Sequence, residues 1–149
     1  TSLDLLACLR HTIEIIQLKY PDAVIDVQST LQDNNILADE FHFSNMLYNF
    51  LDNAIKYCDK KPGIGILIAE EGNDVLLQIT DNGIGIAPKH QKRVFEKFYR
   101  VPGTNRSSVN GFGLGLYYVQ KICSLHHWKL QIESTVGKGT IIKLQISRA

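Results

Sequence analysis

The sequence predicts an α+β fold, a two-layer α/β sandwich with helices packed on one face of a sheet. Four apolar runs alternate with a period of two and group into two hairpins, while three longer segments repeat their apolar residues at helical spacing. Strands and helices do not alternate strictly, as a doubly wound sheet would require. With 149 residues, 44% of them hydrophobic and 21% charged, the chain has the makings of one domain spanning residues 1–149 and lies far from the composition of disorder.

The first helix is read from Leu5, Leu9, Ile13 and Ile16, behind the possible caps Ser2 and Asp4, with Pro21 as its stop. Val24 to Leu31 is β-branched and partly alternating, Asp33 to Asn35 is a turn cluster, and Asn35 to Ala38 is a short extended piece. The strongest helix follows, since Phe43, Met46, Leu47, Phe50, Leu51, Ala54, Ile55 and Cys58 form one apolar stripe. Ile64, Ile66 and Ile68 alternate, as do Val75, Leu77 and Ile79, on either side of a turn at Gly72-Asn73, which reads as an antiparallel hairpin. A short amphipathic segment is expected near Lys92 to Phe98, then a polar loop from Tyr99 to Asn110 of the length usual for a lid, then a helix opening near Gly113 and ending near His127. Trp128, Leu130 and Ile132 alternate, and so do Ile142, Leu144 and Ile146, across a turn at Gly137-Lys138-Gly139.

Charge excludes one class of partner. Lysines and arginines number 16 and aspartates and glutamates 15, so the basic excess of a nucleic-acid binder is missing. No run approaches the 18 or more apolar residues of a membrane span, so no direct membrane contact is expected of this domain. Cys8, Cys58 and Cys123 are odd in number and lack a C-x-x-C pairing, which suits buried free thiols in the cytoplasm. Thr1 to Asp4 carry neither an initiator Met nor a signal sequence, and the chain reads as a piece of a longer protein.

Three features carry chemistry. Asn49, Asp52, Asn53 and Lys56 stand at i, i+3, i+4 and i+7 on the strong helix and are expected to point at a common place. Asparagine is a poor helix former, so two of them one turn apart suggest a ligand or an ion, and an Asn carbonyl oxygen suits Mg²⁺ completed by waters and substrate phosphates. Asp81-Asn82-Gly83-Ile84-Gly85-Ile86 holds a carboxylate at a strand end, with two glycines that let backbone approach a ligand. Pro88 stands where a dinucleotide-binding loop needs its third glycine, and no P-loop motif occurs. Gly111 to Leu116 opens the third helix, where first-turn amides favour an anion such as phosphate.

In order and spacing these features resemble the ATP-binding domain of sensor histidine kinases, in the superfamily shared with gyrase, MutL and heat-shock ATPases. The asparagine box reads Asn49 to Tyr57, the first glycine box Asp81 to Gly85, the phenylalanine box Phe95 to Arg100, the second glycine box Gly111 to Leu116 and a third Gly137 to Thr140. The resemblance implies a Bergerat-type fold, a mixed sheet with helices on one face and an ATP lid. It also implies that Asp81 accepts from the adenine amino group with Thr140 beside it, that Asn53 ligates Mg²⁺, and that Asn49 and Lys56 lie beside the triphosphate. Tyr57, Gly83, Ile84, Gly85, Ile86 and Tyr99 would flank the nucleotide. Gly111, Gly113, Leu114, Gly115 and Leu116 would meet the phosphates, and Arg100, with Arg106 or Lys97 as alternatives, would reach them from the lid.

Asn49, Lys56 and Arg100 are then the catalytic candidates. Hydrolysing relatives carry a water-activating Glu where this sequence has Asn49, and a carboxamide cannot act as a base. The resemblance therefore implies γ-phosphoryl transfer from Mg-ATP to a histidine on a separate dimerisation domain, with a response regulator receiver domain downstream. His11-Thr12-Ile13-Glu14 lacks the acid and proline of the family's acceptor motif, so His11 reads as an ordinary helix residue. The rival readings are a hydrolysing ATPase of the same superfamily and a catalytically silent nucleotide-binding scaffold.

Overall fold

The computed structural model describes residues 1–91, 93–96 and 115–148. Strand β1 (Ser2–Asp4) leads directly into helix α1 (Leu5–Lys19), because the Asp4 carboxylate accepts from the Ala7 amide at 2.9 Å and so caps it. Strands β2 (Val24–Ser29) and β3 (Asn35–Leu37) follow, and β3 pairs antiparallel with β1, Leu3 opposite Ile36. Helix α2 (Glu40–Lys56) starts behind Asp39, whose carboxylate accepts from the His42 amide at 3.0 Å. Strands β4 (Gly63–Glu71) and β5 (Asp74–Asp81) make the first hairpin. Helix α3 (Pro88–Gln91), a single 3₁₀ turn (Arg93–Phe95), helix α4 (Gly115–His126) and the hairpin of β6 (Lys129–Thr135) and β7 (Gly139–Ile146) complete the described chain.

One five-stranded sheet runs in the order β2-β4-β5-β7-β6. Four of its strands are the two expected hairpins, joined antiparallel through β5 and β7. β2 instead pairs parallel with β4, Ile25 opposite Ile64, so the sheet is mixed, as the family resemblance implies, with the two hairpins supplying its antiparallel part. The connection between these two strands carries β3 and α2, the kind of excursion that parallel neighbours need.

Register explains why one face is dry. Ile66, Ile79 and Ile142 stand side by side and buried, with the partly buried Ile132 continuing the row onto a fourth strand, and the next rows in the same phase, such as Ile68, Leu77 and Leu144, are buried too. Against this face α2 buries Phe43, Met46, Leu47, Phe50 and Leu51, and α4 adds Val119, Ile122 and Cys123. Each of the large side chains contributes about 1.5–3 kcal/mol by leaving water. The opposite face carries residues such as Gln78 and Lys143 and stays half-exposed. Cys8, Cys58 and Cys123 are buried free thiols.

The amphipathic segment expected near Lys92 to Phe98 begins earlier, because Pro88 starts α3 at a position where its missing N–H costs nothing. Lys92, residues 97–114 and Ala149, and with them the expected lid from Tyr99 to Asn110, lie outside the described residues. Among the described residues no helix is long and apolar enough to cross a membrane.

Candidate functional site

The inward-facing rows of three neighbouring strands end in polar residues at the same level. Val75, Leu77 and Ile79 are followed in phase by Asp81, Ile146, Leu144 and Ile142 by Thr140, and Leu130 and Ile132 by Ser134. Asp81 is opposite Thr140, and Thr140 opposite Ser134, so the three form one continuous row. Hydrogen bonds follow it. Asp81 Oδ1 accepts from the Gly83 amide at 2.9 Å and the Thr140 amide at 3.2 Å, and Thr140 Oγ1 lies 2.7 Å from Ser134 Oγ. Burial pushes the Asp81 carboxyl above its usual range, and the two N–H donors pull it part of the way back.

The loop after Asp81 is clamped between α2 and the β6–β7 turn. Ile84 donates its amide to the Tyr57 carbonyl at the end of α2 at 2.9 Å, and its own carbonyl accepts from the Gly137 amide at 2.8 Å. The Ile86 amide donates to Ser134 Oγ at 2.7 Å, and Gln91 Nε2 donates to the carbonyls of Ile86 at 2.8 Å and Ser134 at 3.0 Å. Two glycines make this closeness possible. Gly85 has φ +77° and would drive a Cβ into the Thr135 carbonyl, and Gly139 has φ +127° and would drive one into the Asp81 carbonyl.

Helix α2 supplies the other wall. Asn49 Nδ2 donates to the Asn45 carbonyl at 2.9 Å, and a Cβ on Gly115 would stand 3.0 Å from Asn49 Oδ1 and 3.7 Å from Asn53 Nδ2. The first turn of α4, with Gly115 and Leu116, therefore sits against both carboxamides. Asp52 does not join them, and the expectation that all four polar residues converge is corrected. Its carboxylate turns to the end of α1, where it accepts from Tyr20 Oη at 2.7 Å, while Lys56 Nζ lies 2.9 Å and Lys19 Nζ 3.2 Å away. Four residues at these positions span an arc of about 100° around a helix, wide enough to meet two different neighbours. Burial alone would raise the Asp52 carboxyl, but Lys56 and Tyr20 hold it below its usual range, and burial next to Asp52 pushes the Tyr20 hydroxyl up to about 12.

Asn49, Asn53, Tyr57, Asp81, Gly83, Ile84, Gly85, Ile86, Gly115, Leu116 and Thr140 thus line the C-terminal half of α2, the first turn of α4 and the adjoining end of the sheet, while the Lys56 ammonium, at the last residue of α2, lies against Asp52. Tyr99, Arg100, Gly111, Gly113 and Leu114 lie outside the described residues, as do Lys97 and Arg106. Sequence reasoning missed Ser134 and Gln91. For Ser134 a signal exists, since it falls in the apolar phase of Trp128, Leu130 and Ile132, where a hydroxyl needs a reason.

Residues 38–149 match the family described as histidine kinase-, DNA gyrase B-, and HSP90-like ATPase. The sensor protein RprX of Bacteroides fragilis is 42% identical over 120 residues, which cover 76% of this chain and 23% of that protein. The signal transduction histidine-protein kinase ArlS of Staphylococcus aureus is 34% identical over 136 residues, 91% of this chain and 30% of that protein. The chain therefore spans less than a third of the length of these curated relatives. Among solved structures, the mycobacterial sensor histidine kinase MprB superposes with a TM-score of 0.84 at 25% identity, covering 98% of this chain and 95% of that one. The catalytic domain of the histidine kinase ThkA in a nucleotide-free form has a TM-score of 0.84 at 20% identity, covering 99% and 95%, and this likeness concerns the fold. With fold, residue pattern and relatives in agreement, the chain belongs to the histidine kinase-, DNA gyrase B- and HSP90-like ATPases, as an ATP-binding domain of the histidine kinase type.

Proposed function

We propose that this domain binds Mg-ATP and presents the γ-phosphoryl group to a histidine carried by a separate dimerisation domain, from which it passes to a response regulator receiver domain in the cytoplasm. The observation that carries this reading is Asn49. Its amide is committed to the Asn45 carbonyl and its neutral carboxamide faces Gly115, so the position has no base with which to activate water. Neutral imidazole needs no prior deprotonation, because one ring nitrogen already offers the lone pair that forms the new P–N bond as the bond to the bridging oxygen of ADP breaks, and the proton on the other ring nitrogen leaves to water or to a base beside the acceptor. Phosphoryl transfer of this kind is mostly positioning and charge stabilisation.

Asp81 would accept from the adenine amino group, with Thr140 beside it. Asn53 would offer its carbonyl oxygen to Mg²⁺. Among the described residues no group of three His, Cys, Asp or Glu could hold an ion unaided, so its other ligands would be phosphate oxygens and water. The ion would neutralise phosphate charge. Lys56 would lie beside the phosphates, the amides of Gly111, Gly113, Leu114, Gly115 and Leu116 would receive them, and Arg100 would reach them from the lid with Tyr99 next to it. Tyr57, Gly83, Ile84, Gly85 and Ile86 would line the nucleotide.

The test is transfer from γ-labelled ATP with and without a helical hairpin that carries the family's acceptor histidine. The isolated chain is expected to bind ATP, to take up no label and to turn ATP over slowly. With the hairpin, acid-labile, base-stable label is expected on the hairpin, and Asn53→Ala is expected to abolish it. Stoichiometric label on the chain alone, or hydrolysis as fast as transfer, would overturn the reading.

A further inference from the structure

Ser134 Oγ stands at a junction of three contacts. The Ile86 amide lies at 2.7 Å, the Gly139 carbonyl at 3.0 Å and Thr140 Oγ1 at 2.7 Å. A serine hydroxyl has one proton and two lone pairs, whereas an amide N–H can only donate and a carbonyl only accept. Ser134 therefore accepts from Ile86 and gives its proton to Gly139. For all three contacts to be hydrogen bonds, Thr140 must donate to the second lone pair of Ser134. The Thr140 hydroxyl then has no proton to offer on the Asp81 side, and both members of that edge, the carboxylate and the hydroxyl, are acceptors.

We infer that Ser134 is a positioning residue that determines base specificity: by fixing the proton of Thr140 it gives the site an all-acceptor edge, which takes a 6-amino purine and rejects a 6-oxo purine. The inference rests on the reading of this site as the ATP pocket. In the absence of Ser134 the Thr140 hydroxyl is free to turn and donate, so a 6-oxo group gains one donor and is disfavoured by Asp81 alone.

Ser134 also holds the Ile86 amide, so a purely structural role is the rival, and it predicts parallel losses for every nucleotide. The experiment measures Mg-ATP and Mg-ITP affinity calorimetrically for the wild-type domain, Ser134→Ala, Ser134→Thr and Ser134→Cys, the last keeping the volume with a much weaker donor. In Ser134→Ala and Ser134→Cys the preference for ATP over ITP is expected to fall by about five- to tenfold, with ITP affinity held or raised. Ser134→Thr keeps the hydroxyl and is expected to keep the wild-type preference. Parallel weakening of ATP and ITP, or an unchanged ratio in both variants, would overturn the inference. A wild-type domain that binds neither nucleotide would instead overturn the ATP-pocket reading beneath it.

Discussion

Asn49 and Gly115 meet across the junction of α2 and α4 so closely that a methyl group at position 115 fits only if the Asn49 side chain yields. A Cβ at position 115 would stand 3.0 Å from Asn49 Oδ1, and the Asn49 side chain is already tied back to the Asn45 carbonyl at 2.9 Å. At the first position of α4, Gly115→Ala gains less than the roughly 1 kcal/mol of a helix interior, and the Asn49 carboxamide must give way by a few tenths of an ångström. The melting temperature is expected to change little, while Mg-ATP affinity by calorimetry falls about three- to tenfold. A variant with unchanged affinity would show that Asn49 is not needed where it stands.

Asp81 gives a case where stability and binding separate. Its carboxyl is raised by burial, so in the nucleotide-free protein the ionised form costs stability at neutral pH, and the cost is relieved as pH falls through the folded-state value. Asp81→Asn keeps an oxygen for the Gly83 and Thr140 amides. It is expected to melt at or above the wild-type temperature at pH 7, with the difference closing below about pH 4. Adenine-nucleotide affinity is expected to drop about 10- to 100-fold with the loss of a charged acceptor.

For Asp52 the sign is opposite. Its carboxyl is held below the usual range, so the stability it contributes is present above the unfolded-state value, about 3.9, and is lost as pH falls through the folded-state value. Asp52→Asn leaves Lys56, whose side chain is only 12% exposed, beside a neutral amide. Urea unfolding is expected to show a loss of about 2–4 kcal/mol at pH 7, and a much smaller one at pH 3. Equal losses at both values would mean that packing, not charge, is what Asp52 supplies.

Two glycines with positive φ serve as each other's control. Gly139→Ala meets the Asp81 carbonyl as well as an unfavourable φ, whereas Gly72, φ +62°, opens onto empty space. Gly139→Ala is expected to cost about 3 kcal/mol or more in denaturant titration and Gly72→Ala about 1 kcal/mol. Equal costs would mean that the β5–β7 contact can widen to admit a methyl group.

Most of the fold is legible in the sequence because its apolar periods are long and clean. The stripe from Phe43 to Ile55 and the alternations at Ile64 to Ile68 and Val75 to Ile79 each bury one face and leave little choice of element. The parallel pairing of β2 is not legible, since a half-exposed strand of six residues carries no mark of its neighbour's direction. In the site, glycines and the carboxylate at Asp81 are visible by type, but the turning of Asp52 toward Tyr20 is not. Helical spacing fixes the angle of a side chain, not which element waits there. Ser134 is hidden for another reason: its importance lies in the direction of one proton, which depends on three partners drawn from the loop after β5 and the start of β7.

The parallel pairing of β2 with β4 has a kinetic consequence. Ile25 finds Ile64 only after the whole excursion through β3 and α2 has closed, and such non-local pairings form late because the chain entropy of closure precedes any reward. The helix bearing Asn49 and Asn53 lies inside that excursion, and its docking is expected to complete the nucleotide pocket after the rate-limiting barrier. ATP is therefore expected to act as a brake on unfolding alone. In stopped-flow denaturant jumps the unfolding arm should descend with added Mg-ATP while the refolding arm stays in place, and a refolding arm that rises would place α2 in the folding nucleus.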